Sequence, residues 1–176
     1  MTSPDTEIRR LGQDDLELFR QLRLEALRLE PASFANTVED WEALAEAEWR
    51  RRLEAPVFAA FRGGAPVGMM GLLRQGGRKM AHRASLIMVY LRGDQRGSGL
   101  AGAMLAHVVD AARRDGIAQL ELHVSAENPA AIRFYLRQGF AEVGRIPGAV
   151  REGGRESDDL LMVRRLVRGA PGARPG

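Results

Sequence analysis

The sequence predicts a mixed α/β domain on a central, largely antiparallel sheet of about seven strands flanked by four helices. The element order is β-α-α-β-β-β-α-β-α-β-β. Two observations carry this. Glycine pairs at Gly63-Gly64 and Gly76-Gly77 separate three consecutive apolar, strand-like runs, which makes the middle of the chain two adjacent hairpins. A glycine-rich stretch then opens a long amphipathic helix with an alternating strand behind it, which supplies one βαβ crossover. Further strand–helix units, which a doubly wound sheet requires, are missing.

Residues 6–11 read as the first strand. Asp14 or Asp15 can cap the helix behind it, in which Leu16, Phe19, Leu22, Ala26 and Leu29 recur at spacings of three and four before Pro31 ends it. A loop over 32–37 leads to a second helix over about 39–53, stopped before Pro56. Strands follow at 57–62, 66–73 and 84–91. The long helix covers about 98–114, with Leu100, Met104, Val108 and Ala111 on one face and Gly116 as its stop. In the strand over 118–124, Leu120, Leu122 and Val124 alternate with Glu121 and His123. Asn128-Pro129 starts another helix: Asn caps it, Pro suits its first turn, and Gly139 takes the left-handed position after its end near 138. Two closing strands, 141–145 and 159–168, are joined by a glycine-rich loop over 146–157. One domain thus spans 1–168, and 169–176, with three Gly and two Pro, reads as a disordered tail.

With 176 residues, 45% of them hydrophobic and 28% charged, the chain is of globular composition and long enough to bury a core without a staple. It has no cysteine, which excludes disulfides, thiolate metal sites and a cysteine nucleophile, and fits a reducing compartment. No cluster of His, Asp or Glu has metal-ligand spacing, so no metal is expected. No run of apolar residues is long enough for a membrane span, and residues 1–10 carry no apolar signal core, so a cytoplasmic protein with no membrane partner is expected. Net charge is +3, and Lys79 is the only lysine among 26 basic residues. The arginines are scattered among acids without forming a basic stripe, so no nucleic-acid partner is expected.

The most informative segment is Arg96-Gly97-Ser98-Gly99-Leu100-Ala101-Gly102, between an apolar strand and an amphipathic helix. The first N–H groups of a helix lack internal partners and, with the helix dipole, attract anions; glycines let a phosphate approach the backbone. A phosphorylated cofactor is therefore expected here, with Arg96 adding charge. Gly97, Gly99 and Gly102 also satisfy G-x-G-x-x-G, with Glu121 near the spacing of a ribose-binding acid. That dinucleotide reading ranks low, because the loop follows antiparallel hairpins and Glu121 falls in mid-strand.

Arg96-x-x-Gly99-x-Ala101 resembles the [Q/R]-x-x-G-x-[G/A] signature of the GNAT N-acetyltransferase superfamily. The run from Asn128 through Ala131 and Tyr135 to Gly139-Phe140 is similar to that family's N-x-x-A-x-x-x-Y-x-x-x-G-F segment, and the element order agrees from about residue 6 to 168. Where many relatives carry a proline after the fourth strand, this chain has Arg92-Gly93-Asp94, a looser turn.

The resemblance implies acetyl-CoA as cosubstrate, bound in a split between the fourth and fifth strands. It implies that Val89, Tyr90 and Leu91 offer backbone groups to the pantetheine arm. Arg96, Gly97, Ser98, Gly99, Leu100 and Ala101 would hold the pyrophosphate, Asn128 would reach the cofactor, and Tyr135 would protonate the leaving thiolate. The implied activity is acetyl transfer to a primary amine of a small molecule or peptide by direct attack in a ternary complex. A non-catalytic acetyl-CoA-binding module and a nucleotide-dependent oxidoreductase are the alternatives, and a homodimer is compatible with the family. Candidates for a base are Glu121, His123 and, more weakly, His82, while His107 reads as structural. Segments 31–41 and 146–157 would cover the acceptor. Phe34, Trp41 and Tyr90 would form an apolar wall there, and Glu39, Asp40 or Glu42 would attract a cation. Trp41 and Trp49 read most simply as core anchors.

Overall fold

The computed structural model describes residues 5–166, so the tail expected at 169–176 lies outside the described residues. The elements are β1 (Thr6–Arg10), α1 (Leu16–Leu29), α2 (Val38–Glu42), α3 (Glu46–Arg52), β2 (Val57–Arg62), β3 (Ala65–Arg74), β4 (Arg83–Leu91), α4 (Leu100–Arg114), β5 (Gln119–Ser125), α5 (Pro129–Arg137), β6 (Ala141–Glu152) and β7 (Arg155–Arg165). The strands form one seven-stranded sheet in the order β1-β2-β3-β4-β5-β7-β6, in which β4 and β5 are the parallel pair and the others are antiparallel.

The sheet is covered on both faces, so there are two cores. On one face, Phe58, Met70, Leu86, Leu120 and Met162 pack under α4 and α5 with Met104 and Leu105. On the other, Val57, Ala59, Phe61 and Met69 pack under α1–α3 with Phe19, Trp41 and Trp49. Consecutive strand side chains point to opposite faces, which puts Met69 and Met70 in different cores. No helix among the described residues is long and apolar enough to cross a membrane.

Three expectations are corrected. The helix expected over 39–53 is two helices, α2 and α3, which gives five α-helices among the described residues where four were expected. On a straight helix, residues eight apart stand about 12 Å apart along the axis. The Trp41 and Trp49 rings lie 5.0 Å apart, each edge-on to Phe19, so the chain breaks to bring both into one core. A capping box at Thr37 and Asp40 starts the first piece.

The loop expected over 146–157 is mostly strand. β6 and β7 pair out to Glu152 and Arg155, and the turn is Gly153-Gly154, both with positive φ. The glycines and Pro147 are absorbed by a register shift between Ile146 and Val150, where Asp158 accepts from the Gly148 N–H at 2.9 Å. Since β6 is the sheet's edge, a proline there disturbs no ladder. Finally, Leu29 is 65% exposed, and the buried stripe of α1 instead includes Arg23.

Candidate active site

The cleft begins where β4 and β5 part. Their parallel pairing extends only from Arg83–Gln119 to Ser85–Glu121. Beyond it β4 carries a bulge: Met88 has φ 53°, and the three steps from Ile87 to Tyr90 face the two from Gly71 to Met69 on β3. The bulge reverses the alternation, so Leu86 and then Val89 face the α4 core while Met88 and Tyr90 face the α1 core. Two glycines of β3 make room for it. A Cβ at Gly71 would lie 2.7 Å from Met88 Cε, and one at Gly68 would lie 2.8 Å from the Tyr90 carbonyl oxygen. Arg92 N–H bonds to Val67 O across the β3 edge at 2.9 Å. By antiparallel alternation the Leu91 N–H then points the other way, into the split.

The glycine loop stands at the mouth of this split. Gly97 and Gly99 have φ of 77° and 82°, and a Cβ built at either meets nothing within 4 Å. Their backbone therefore borders open space in a conformation that only glycine adopts readily. Helix α4 starts at Leu100, two residues later than expected, with Gly99 as its N-cap. Ser98 Oγ donates to Gln95 O at 2.6 Å and holds the loop in shape. The Arg96 guanidinium is tied to Glu30 at the end of α1 and to Leu91 O.

Across the split, Asn128 caps α5 by accepting from Ala131 N–H at 3.0 Å, which leaves its amide NH2 free to donate. Tyr135 is 6% exposed yet borders the cleft, with its ring edge-on to Phe134 and Phe140. Burial pushes its phenol pKa up, which keeps it a proton donor at all ordinary pH.

Val89, Tyr90, Leu91, Arg96, Gly97, Gly99, Ala101, Asn128 and Tyr135 all border one cleft of about 1230 Å³. Ser98 and Leu100 do not: Ser98 shapes the loop and Leu100 points into the core. The space above Gly97 and Gly99, the helix N-terminus and the unpaired edge of β4 together fit an extended cosubstrate with a diphosphate.

Of the base candidates, Glu121 is committed elsewhere. It is buried, accepts from Arg83 Nη2 at 2.6 Å, and takes a further bond from Gln75. His82 holds Ala118 and Gln119 through its carbonyl, and His107 packs on Phe58 at 5.4 Å. His123 is exposed and borders the cleft.

The acceptor end departs from expectation in sign. Phe34, Trp41 and Tyr90 border the cleft as expected. Tyr90 also donates to Glu25 at 2.9 Å, and Glu25 is clamped by Arg92 at 2.6 and 2.7 Å. Glu39, Asp40 and Glu42 do not border it: Asp40 is spent on the α2 cap and Glu42 on Arg28. Two arginines, Arg23 and Arg52, stand there instead. Asp159 of β7 also borders the cleft, with no hydrogen-bond partner for its side chain among the described residues. Sequence reading passed over all three, although an arginine on the apolar stripe of α1, four residues after Phe19 and three before Ala26, was a visible signal.

A mixed sheet parted beside a glycine-lined helix N-terminus is the fold of a protein that takes an extended phosphorylated cosubstrate into its middle. The model of the Acetyltransferase (GNAT) family matches residues 19–140, and the chain belongs to that family, whose cosubstrate is acetyl-CoA. It is 29% identical over 142 residues to the mycothiol acetyltransferase of Brachybacterium faecium, covering 69% of this chain and 43% of that protein. It is 34% identical over 85 residues to an L-methionine sulfoximine/L-methionine sulfone acetyltransferase of Pseudomonas aeruginosa, covering 47% of this chain and 49% of that one. The chain thus spans about half the length of these curated relatives. Among solved structures it is similar to YncA, a putative acetyltransferase of Salmonella typhimurium determined with acetyl-CoA, at a TM-score of 0.76 and 22% identity over 96% of this chain and 99% of that one.

Proposed function

We propose that the protein is an acetyl-CoA-dependent N-acetyltransferase acting on a primary amine by direct attack in a ternary complex. The observation that carries this is the pair of left-handed glycines over open space at the α4 N-terminus, beside a strand edge left unpaired by a bulge. Gly97, Gly99 and Ala101 hold the pyrophosphate through backbone N–H groups and the helix dipole, on a loop that Ser98 and Leu100 keep in shape. Arg96 exchanges Glu30 for a phosphate oxygen. Val89, Tyr90 and Leu91 bind the pantetheine amides through the free edge of β4, and Asn128 donates its remaining amide hydrogens to the cofactor.

The amine attacks the thioester carbonyl, the C–N bond forms, and the Leu91 N–H donates to the oxygen as it gains charge. The C–S bond then breaks, Tyr135 gives its proton to the departing thiolate, and the surplus proton on the new amide nitrogen restores the phenol. The amine attacks in its neutral form, its ammonium proton having passed to His123 or Asp159 at the cleft's border. The two curated relatives act, by their names, on different acceptors, so neither defines this one.

The test is thiol release from acetyl-CoA in the presence of an amine panel, with acetyl-CoA affinity measured separately. Amine-dependent release is the expected result. Tight binding with no release from any amine would reduce the protein to a non-catalytic binding module.

A further inference from the structure

Arg23 occupies an unusual position for a charge. It is 2% exposed, yet its Nε and Nη1 have no hydrogen-bond partner among the described residues. Its guanidinium lies between two rings, 4.6 Å from the centroid of Phe34 and 4.4 Å from that of Trp41. Arg52 stands 4.9 Å from the same Trp41 ring, and its Nη1 donates to the Glu48 carbonyl oxygen at 3.1 Å. Neither has a carboxylate partner among the described residues, in a chain that gives one to Arg9, Arg28, Arg50, Arg83, Arg92 and Arg96.

Stacking fixes the plane of a guanidinium and offsets part of its desolvation, but it accepts no N–H bond. Burial, and then the like charge of Arg52, push the Arg23 pKa down to about 10, which still leaves it charged at neutral pH. Two cations without counter-ions around one ring, bordering the acceptor end of the cleft, form an anion site. Asp159 approaches the same cleft from β7 with a free carboxylate suited to an ammonium.

We propose that Arg23 and Arg52 bind a carboxylate of the acceptor, and that the acceptor is a carboxylate-bearing primary amine of the free amino-acid class. This rests on the acetyl-transfer reading above and gives it a substrate class. The carboxylate is a handle and stays unchanged; the amine nitrogen alone gains the acetyl group, and CoA leaves as the thiol.

The experiment compares L-amino acids with their carboxamides, and with O-phosphoethanolamine, by thiol release from acetyl-CoA. It uses the wild type, Arg52→Gln and Arg23→Lys, the last keeping charge and bulk in case loss of Arg23 unfolds the chain. Trp41 touches both arginines, so its fluorescence during titration with the same compounds reads binding without turnover. Carboxamides are expected to lose roughly ten- to hundredfold in kcat/KM, the effect of removing a charged hydrogen-bonding partner. Arg52→Gln should raise the amino-acid KM about tenfold and erase the preference over carboxamides, with the KM for acetyl-CoA unchanged. Carboxamides or the phosphate ester serving as well as the amino acids, or an intact preference in Arg52→Gln, would overturn the proposal. Should no amine release thiol, the enzymatic reading fails. The carboxylate site is then decided by fluorescence: saturable amino-acid binding lost in Arg52→Gln upholds it, and no response rejects it.

Discussion

The two ends of the cleft are made of different materials. The end proposed for the cosubstrate is backbone: two left-handed glycines, the first turn of α4 and an unpaired stretch of β4. The end proposed for the acceptor is side chain: Arg23 and Arg52 from two helices with Trp41 between them and Phe34 on Arg23's other side, while Asp159 borders the same cleft from a strand more than a hundred residues on. Backbone recognition needs particular backbone conformations, and few residues permit those. Side-chain recognition needs only that distant residues meet, so it can vary while the fold stays the same. One cosubstrate site can therefore serve many acceptors on one scaffold.

The largest effect should come from Tyr135→Phe. If the phenol is the proton donor, kcat falls roughly a hundredfold or more, the usual contribution of a general acid, while acetyl-CoA affinity holds. Because burial raises its pKa from the ordinary value near 10, this group should impose no alkaline limb on the wild-type rate below about pH 10. Steady-state kinetics across pH checks both points. An unchanged kcat would leave Tyr135 as a core aromatic beside Phe134 and Phe140.

Gly99→Asp strikes the backbone end directly. It adds left-handed strain of about 1–2 kcal/mol and sets a negative charge at the proposed phosphate position. Acetyl-CoA affinity, measured by calorimetry, should fall ten- to hundredfold, by roughly 1.4 kcal/mol per decade. A Cβ at this position meets no protein atom within 4 Å, so beyond the backbone strain the loss should appear in binding. Normal affinity would place the diphosphate elsewhere.

This contrast also explains what was legible in the sequence. Gly97 and Gly99 announce themselves because their positive φ favours glycine, Asn128-Pro129 because a capping side chain followed by proline starts a helix, and the hairpins through paired glycines. The bulge at Met88 was not legible. Its cause is split between β4 and two glycines on β3, and Gly68 and Gly71 look like ordinary strand residues until Tyr90 and Met88 are seen against them. The break between α2 and α3 escaped for a similar reason: helical periodicity continues across it, and only the shared contact of Trp41 and Trp49 with Phe19 requires the turn. Asp159 escaped because nothing local distinguishes it from a solvated strand acid.

Helix α1 joins the two ends, carrying Arg23 to the acceptor end and Glu25 to the exit of β4. Glu25 is held ionised chiefly by the Arg92 hydrogen bonds, with burial opposing. A carboxylate pKa depressed in the folded state stabilises fully above the unfolded value, about pH 4.3, and that stabilisation is lost as pH falls through the folded value. Glu25→Gln should therefore cost about 2 kcal/mol at pH 7, the scale of a charged hydrogen bond, and progressively less in acid. Urea melts at both pH values measure it. A deficit that persists in acid would mean that shape, not charge, joins α1 to β4.

The smallest effect expected is the most pointed test of the acceptor end. Glu42 of α2 was a candidate for attracting a cation to the cleft. The structure turns it away, onto Arg28, with about half of each side chain exposed. Surface pairs of this kind are worth about 0–1 kcal/mol. Glu42→Gln should thus leave the acceptor KM unchanged and stability within about 0.5 kcal/mol, whereas Arg52→Gln, reaching Trp41 from the end of α3, should raise that KM. If Glu42→Gln raised the acceptor KM and Arg52→Gln did not, the sign of the acceptor end would be negative after all. The orphaned guanidinium of Arg23 would then be a packing element held by its two rings.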